Sequence, residues 1–297
     1  MIDTTRHAQI VALAAAHGLT ITADSLRFNE AGLDYQVVFA EDHTGQQWVL
    51  RMPRRPDVAA KIADESLILE FVRPHLDVSV PDWQVQSPEL IAYPALPGSP
   101  GLTLNDAGGP VWHVDPESAA YARSYGRVLA GLHSIDTAAP ADAGIPAHTP
   151  AGVRQEWRDT LTTVAAEFTI ADHLRAAWTT WLADDGLWPH DVTFTHGEFY
   201  PAHLLLSPDD AIESILDWTT ARVGDAAVDF TLHHTVSSPE TFQLTVDAYS
   251  EITGRVPSRL AERCAAIMAA APLTYALFAL TSGEPEHAST AALMLNP

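Results

Sequence analysis

The apolar residues of this chain change period partway along it. The change falls at the densest run of chain breakers, Pro94-Ala95-Leu96-Pro97-Gly98-Ser99-Pro100-Gly101. Before that run, Tyr35-Gln36-Val37-Val38-Phe39-Ala40 and Gln47-Trp48-Val49-Leu50-Arg51-Met52 are strand-like, and Asp42-His43-Thr44-Gly45 between them signals a hairpin turn. A second strand pair is predicted at 83–85 and 90–93. Helical spacing covers 5–17, stopped by Gly18, and 61–76, with apolar positions at Ile62, Leu67, Leu69, Phe71 and Val72. After the breaker run the chain turns to long Ala/Leu-rich helices, expected at 116–133, 150–171, 173–182, 241–253 and 259–280. This order predicts an α+β architecture with a small β-rich N-terminal lobe at 1–94 and a larger helical C-terminal lobe at 95–297.

One hairpin interrupts the helical half. Thr195-His196-Gly197-Glu198-Phe199-Tyr200-Pro201-Ala202-His203 and Ile215-Leu216-Asp217-Trp218 lie on either side of the turn signal Ser207-Pro208-Asp209-Asp210. Leu204-Leu205-Leu206 and Ile212 supply apolar strands between them, so polar groups sit at the ends of a rigid base. One carboxylate can accept the proton of an attacking hydroxyl, while His203 and Asp217 can hold a divalent metal. The pattern suggests phosphoryl transfer. A zinc site made of His196, Glu198 and His203 fits poorly, because a spacing of seven between the histidines matches neither a helical i,i+4 pair nor a closed zinc site.

Composition narrows the partners. A chain of 297 residues that is 47% hydrophobic can bury a sizeable core. Its 16 basic residues face 38 acidic ones, a net charge of −22, which repels nucleic acid and anionic membrane surfaces and draws in a cationic small molecule. Lys61 is the sole lysine and reads as a solvated helix residue, while Arg54 and Arg55 read as surface charge. Cys264 is the single cysteine, which excludes a disulfide framework. The start, Met1-Ile2-Asp3-Thr4, lacks signal-peptide character, and the apolar stretch 265–280 is broken by Pro272, so it reads as a core helix. The expectation is a soluble, cytoplasmic monomer.

The order His196-Gly197-Glu198, His203, Ile215-Leu216-Asp217-Trp218 and Gly224-Asp225-Ala226-Ala227-Val228-Asp229 resembles the aminoglycoside phosphotransferase-like group of antibiotic kinases. Within that group, three further segments resemble macrolide 2′-phosphotransferases. They are Asn29-Glu30-Ala31-Gly32-Leu33-Asp34-Tyr35, Trp48-Val49-Leu50-Arg51-Met52-Pro53-Arg54-Arg55 and Thr274-Tyr275-Ala276-Leu277-Phe278-Ala279-Leu280.

The resemblance implies a two-lobed, protein-kinase-like fold and a purine nucleotide donor, GTP in the macrolide branch, with ATP left open. It implies nucleotide contacts from Gly32 and Tyr35 at a phosphate turn, and from Tyr93 and Ala95 at the lobe connection. Arg51 would lie over the α/β-phosphates where such folds usually carry lysine, a swap that guanidinium chemistry permits. Glu65 would orient Arg51, although an i,i+4 pair with Lys61 is an alternative for it. His203 and Asp217 would hold Mg²⁺, with Asp217 the better ligand for a hard cation. Glu198 would be the catalytic base, His196 would orient its loop, and Asp225 and Asp229 would brace it.

For a macrolide acceptor, Phe199, Tyr200, Trp218, Tyr275 and Phe278 are candidate pocket walls, although Tyr275 and Phe278 fit a helix core equally well. The departure is Glu198, where the family pattern has Asp. Three outcomes stay open: an adjusted loop with activity intact, a neighbour sharing the role, or binding with weak turnover. Alternative acceptors of the same class are an aminoglycoside, choline or homoserine, and the alternative of another class is a catalytically weak drug-binding protein.

Overall fold

The computed structural model describes residues 4–30, 32, 34–105 and 108–297. Ala31 and Leu33 of the glycine-bearing segment, and the first three residues at the chain start, lie outside the described residues. The chain divides into two compact units, one of Met1–Asp115 with Pro201–Thr219 and the other of Pro116–Tyr200 with Thr220–Pro297. The breaker run at 94–101 falls inside the first unit.

The first unit begins with helix α1 (Thr4–Ala16) and strands β1 (Arg27–Asn29), β2 (Tyr35–Glu41) and β3 (Gln47–Pro53). The predicted hairpin forms in full, with Asp42 tying its turn by accepting from the Thr44 and Gln46 N–H groups. Helices α2 (Pro56–Ala60) and α3 (Ile62–Val72) follow, the latter ending in a 3₁₀ turn at Arg73–His75, where Pro74 offers no N–H to continue it. Strands β4 (Val85–Gln86) and β5 (Ile91–Pro94) complete an antiparallel sheet ordered β1-β2-β3-β5-β4.

Strand alternation divides the residues of this sheet between two cores. Val38, Ala40, Leu50, Met52 and Ala92 pack with Ile10 and Ala14 of α1. Tyr35, Val49, Ile91 and Tyr93 pack instead with Val58 of α2 and Ile62 of α3. Arg51 lies between Leu50 and Met52, so the pleat turns it toward α3. Short strands β6 (Ser99–Pro100), β7 (Leu102–Leu104) and β8 (Pro110–Trp112) follow, in a stretch with no strand-like periodicity.

The second unit starts with α4 (Ala119–His133), capped by the Ser118 hydroxyl, then α5 (Ala138–Asp142), α6 (Pro150–Glu167) and α7 (Asp172–Ala183). Strand β9 (Thr193–Thr195) leads to the His-Gly-Glu segment. The chain then supplies the first unit with the hairpin β10 (Leu204–Leu206) and β11 (Ile212–Ile215), whose order in the sheet is β11-β10-β6. Returning to the second unit, β12 (Arg222–Gly224) pairs antiparallel with β9, and α8 (Ala227–Val236) and α9 (Pro239–Thr253) follow.

The helix expected at 259–280 is two helices, α10 (Leu260–Ala269) and α11 (Ala271–Ser282), bent by 44°. Pro272 enforces the break, since its ring cannot donate into a continuous ladder. The carbonyl of Ala269 accepts instead from Trp178 Nε1 at 3.0 Å. Helix α12 (Pro285–Leu295) closes the chain. Leu273, Ala276 and Ala279 are buried with Trp178, Trp181 and Leu295 in one helical core. No single helix among the described residues is long and apolar enough to cross a membrane.

Candidate active site

In the first unit four of the singled-out residues, Arg51, Glu65, Tyr35 and Tyr93, come together. Arg51 is buried on β3, and its Nη1 donates to Glu65 Oε1 of α3 at 3.0 Å. This is the pairing expected from the resemblance; among the ion pairs of the described residues Glu65 is joined to Arg51 and not to Lys61. The guanidinium also lies 4.0 Å from the centroid of the Tyr35 ring, a cation–π contact that fixes its plane. Tyr35 and Tyr93 reach Arg51 diagonally, because Val37 and Ile91 are its direct cross-strand partners.

Burial is the largest influence on Glu65 and pushes its carboxyl up; Arg51 opposes the push and Asp217 adds to it. Tyr35 and Tyr93 are each pushed up to about 12, again by burial first, against the pull of Arg51. Burial alone would lower Arg51, but Glu65, Tyr93 and Asp217 together raise it, so the guanidinium stays charged. A charged, planar donor held from behind by a carboxylate is suited to clamp an anion.

Gly32 is exposed, and its carbonyl accepts from Arg54 Nε at 3.0 Å. Arg54 and Arg55, read as surface charge, are engaged with Glu30 and Asp34. The N–H of Ala95 donates to Gln47 O at 2.8 Å, which leaves only the carbonyl of Ala95 for a ligand.

His203 and Asp217 face each other across the open end of the β10–β11 hairpin. Leu216 N–H donates to His203 O at 2.8 Å, carrying the ladder one step past the strands. That step brings His203 Nε2 to 3.6 Å from Asp217 Oδ2. Asp217 Oδ1 accepts from the Thr219 hydroxyl at 2.7 Å, which fixes the carboxylate plane. Asp217 also has φ +58°, in the left-handed region that costs a non-glycine residue energy and concentrates at functional sites. One hard oxygen beside one imidazole nitrogen, both half-buried, is a donor set that fits a divalent cation. Trp218 is fully buried, and its indole N–H donates to Ile215 O at 3.2 Å.

In the second unit, Gly197 has φ +89°, and a Cβ there would come within 2.7 Å of Thr220 O, so only glycine fits the turn. Asp229 of α8 accepts from the backbone N–H of His196 at 2.9 Å and of Gly197 at 2.7 Å, and thereby braces the loop. The buried His196 ring accepts from the Glu198 N–H through Nδ1 at 3.3 Å. Glu198 itself is exposed at the end of this tied backbone. Asp225 accepts from Ala227 N–H at 2.8 Å, capping α8, and forms a buried ion pair with Arg263.

Phe199 is buried against Tyr125, while Tyr200 is half-buried. Tyr275 and Phe278 are half-buried on α11, and Tyr275 O–H pairs with His287 Nδ1 at 2.9 Å. Tyr125, whose hydroxyl lies 2.6 Å from the Phe199 carbonyl oxygen, carries no mark of this contact in the sequence. Nothing in its local spacing distinguishes it from a core residue.

Phosphoryl transfer calls for a proton-accepting carboxylate, oxygen and nitrogen donors for a divalent cation, and a cation to bind phosphates. Taken separately, the first unit carries Arg51 with Glu65 and Asp217 with His203, and the second carries Glu198 on a braced loop. The model of the phosphotransferase enzyme family matches residues 25–263, and the chain belongs to that family. Its fold is that of the aminoglycoside phosphotransferase-like kinases. Among solved structures it resembles macrolide 2′-phosphotransferase MphH from Brachybacterium faecium in its apoenzyme form. The two are 49% identical, with 98% of this chain and 97% of that chain covered and a TM-score of 0.91. It also resembles macrolide 2′-phosphotransferase type I at 37% identity, covering 100% of this chain and 98% of that one, with a TM-score of 0.92. The uncharacterized protein YcbJ of Bacillus subtilis (strain 168) is 36% identical over 286 residues, 95% of this chain and 94% of its own length.

Proposed function

We propose that the protein transfers the γ-phosphoryl group of GTP to the 2′-hydroxyl of the amino sugar of a macrolide and thereby inactivates the drug. The observation that carries this reading is the near-complete coverage shared with two macrolide 2′-phosphotransferases at 49% and 37% identity. In the proposed reaction, the carboxylate of Glu198 takes the proton of the acceptor hydroxyl. The freed oxygen forms the new bond to the γ-phosphorus, and the bond from that phosphorus to its bridging oxygen breaks, releasing GDP. Arg51, held by Glu65, binds the α/β-phosphates. His203 and Asp217 would hold Mg²⁺, which when bound neutralises phosphate charge. Phosphorylation sets a negative charge beside the sugar amine, which spoils recognition of the drug by its target.

Glu198 is one methylene longer than the family's aspartate, a reach of roughly 1–1.5 Å. Its backbone is tied through His196 and Asp229, so its side-chain torsions must absorb that length. An error of about 1 Å can cost ~10²-fold in rate.

The test is phosphate gain, read by mass spectrometry, across a panel of macrolides, aminoglycosides, choline and homoserine with GTP and ATP. Phosphate gain on macrolides is expected. Gain only on another alcohol would reassign the acceptor, and tight macrolide binding without turnover would favour a sequestering protein. Glu198→Ala is expected to abolish turnover and spare nucleotide binding; full activity in that variant would remove Glu198 from its role. A large rate gain in Glu198→Asp would show that the longer side chain is a handicap.

A further inference from the structure

Asp229 does more than accept two loop N–H groups. Its Oδ2 also lies 3.0 Å from Nε2 of His133, the last residue of α4, and both side chains are fully buried. The other ring nitrogen of His133, Nδ1, lies 3.3 Å from the hydroxyl of Tyr249 on α9. The acceptors assign the protons. The Asp229 carboxylate only accepts, so His133 Nε2 carries a hydrogen; a neutral ring then leaves Nδ1 to accept the Tyr249 O–H. Every polar group in the chain Tyr249–His133–Asp229–loop amides is satisfied in that arrangement, without a buried charge other than the carboxylate.

The same face of α4 makes a second tie two turns earlier. Tyr125 O–H lies 2.6 Å from the carbonyl oxygen of Phe199 and 2.6 Å from that of Asp229, bridging the residue after Glu198 to α8. The backbone on both sides of Glu198 is therefore held by groups that never reach the solvent. Thr193, at the start of β9, donates to the His133 carbonyl at 2.7 Å and fixes the strand that feeds the loop.

We propose that His133, oriented by Tyr249, is a positioning residue that aims Glu198 by locking the carboxylate of Asp229 onto the amides of His196 and Gly197. Without the His133 donor, Asp229 loses one of three partners and can rotate away from the amides, and the loop gains freedom at the proton-accepting side chain. His133 and Tyr249 are both buried away from solvent. The loss therefore falls on kcat and not on KM. The proposal rests on reading Glu198 as the base, so its test carries one readout independent of turnover.

The experiment compares His133→Leu, His133→Gln and Tyr249→Phe in the full chain. It measures kcat and KM for nucleotide and acceptor, together with amide exchange of the peptide containing His196 and Gly197. His133→Leu is expected to lower kcat ~10²-fold with KM values within about threefold. His133→Gln, whose amide N–H replaces Nε2, is expected to restore kcat to within about tenfold of the parent, and Tyr249→Phe to lower it about three- to tenfold. Faster exchange at His196 and Gly197, with α6 and α7 unchanged, is the expected structural signature.

Unchanged kcat and unchanged loop exchange in both His133→Leu and Tyr249→Phe would overturn the proposal. So would a glutamine variant no better than leucine. If His133→Leu does not fold, Tyr249→Phe and His133→Gln decide on the same readouts. If the parent protein transfers phosphate to no acceptor, the functional reading fails, and the exchange data still judge the positioning role.

Discussion

His233 carries its proton on one identifiable nitrogen. The Thr245 hydroxyl donates to the Ala122 carbonyl at 3.0 Å, so toward His233 Nε2, 2.7 Å away, it acts as acceptor. Nε2 therefore holds the hydrogen, and Nδ1 is buried with no hydrogen-bond partner among the described residues. A second proton on Nδ1 would bring a charge into this site with no acceptor to receive it. Burial accordingly pulls the imidazole down from 6.5 to about 4, Glu117 opposing and His234 reinforcing the shift. In the window between those values the unfolded chain binds the proton and the folded protein does not. Stability contributed by the neutral ring is thus present above 6.5 and lost as pH falls toward 4, by on the order of 3 kcal/mol. Urea unfolding of the parent and of His233→Gln at both ends of the window checks this. The parent's advantage is expected to shrink at the acid end, and a gap independent of pH would refute the assignment.

Helices α4 and α9 carry the residues proposed to aim the loop, and their separation is set by one missing side chain. A Cβ on Gly126 would lie 2.2 Å from the Thr245 carbonyl oxygen, a backbone atom that cannot swing aside. Gly126→Ala is expected to gain up to ~1 kcal/mol in helix propensity and lose more through overpacking, for a net cost of about 1–3 kcal/mol. Gly131 lies in the same helix with nothing within 4 Å of its Cβ position. Gly131→Ala is therefore expected to stabilise by up to ~1 kcal/mol, and similar denaturant midpoints for the two variants would sink the argument. The β2–β3 hairpin was legible because turn chemistry and alternation agree there, and α1 because its stop signal is clear. The α10–α11 break was less so, since one proline had to outweigh an otherwise continuous apolar pattern. Strands β6–β8 and helix α12 had no periodic signal of their own.

Across the whole molecule, the site residues legible in the sequence are those whose partners lie close along the chain or on adjacent pleats. Arg51 and Glu65 are 14 residues apart, and alternation alone turns Arg51 toward the next helix. His133 meets Asp229 across 96 residues and Tyr249 across 116, and no local pattern encodes such meetings. Net charge, in contrast, needs no fold to be read, and at −22 it acts on the two proposed substrates in opposite directions. A macrolide amine is cationic and is drawn toward the protein; a nucleoside triphosphate is anionic and is repelled. Salt screens both effects, with a Debye length falling from about 30 Å at 0.01 M to about 3 Å at 1 M. Raising ionic strength across that range is therefore expected to lower kcat/KM for the macrolide and raise it for the nucleotide, leaving kcat nearly constant. A macrolide whose tertiary amine is first demethylated to the secondary amine and then N-acetylated is neutral there and should lose its slope while the nucleotide keeps its own. Parallel slopes for both substrates would show that salt acts on the protein's stability or on the chemical step, and that the acidic surface steers neither ligand.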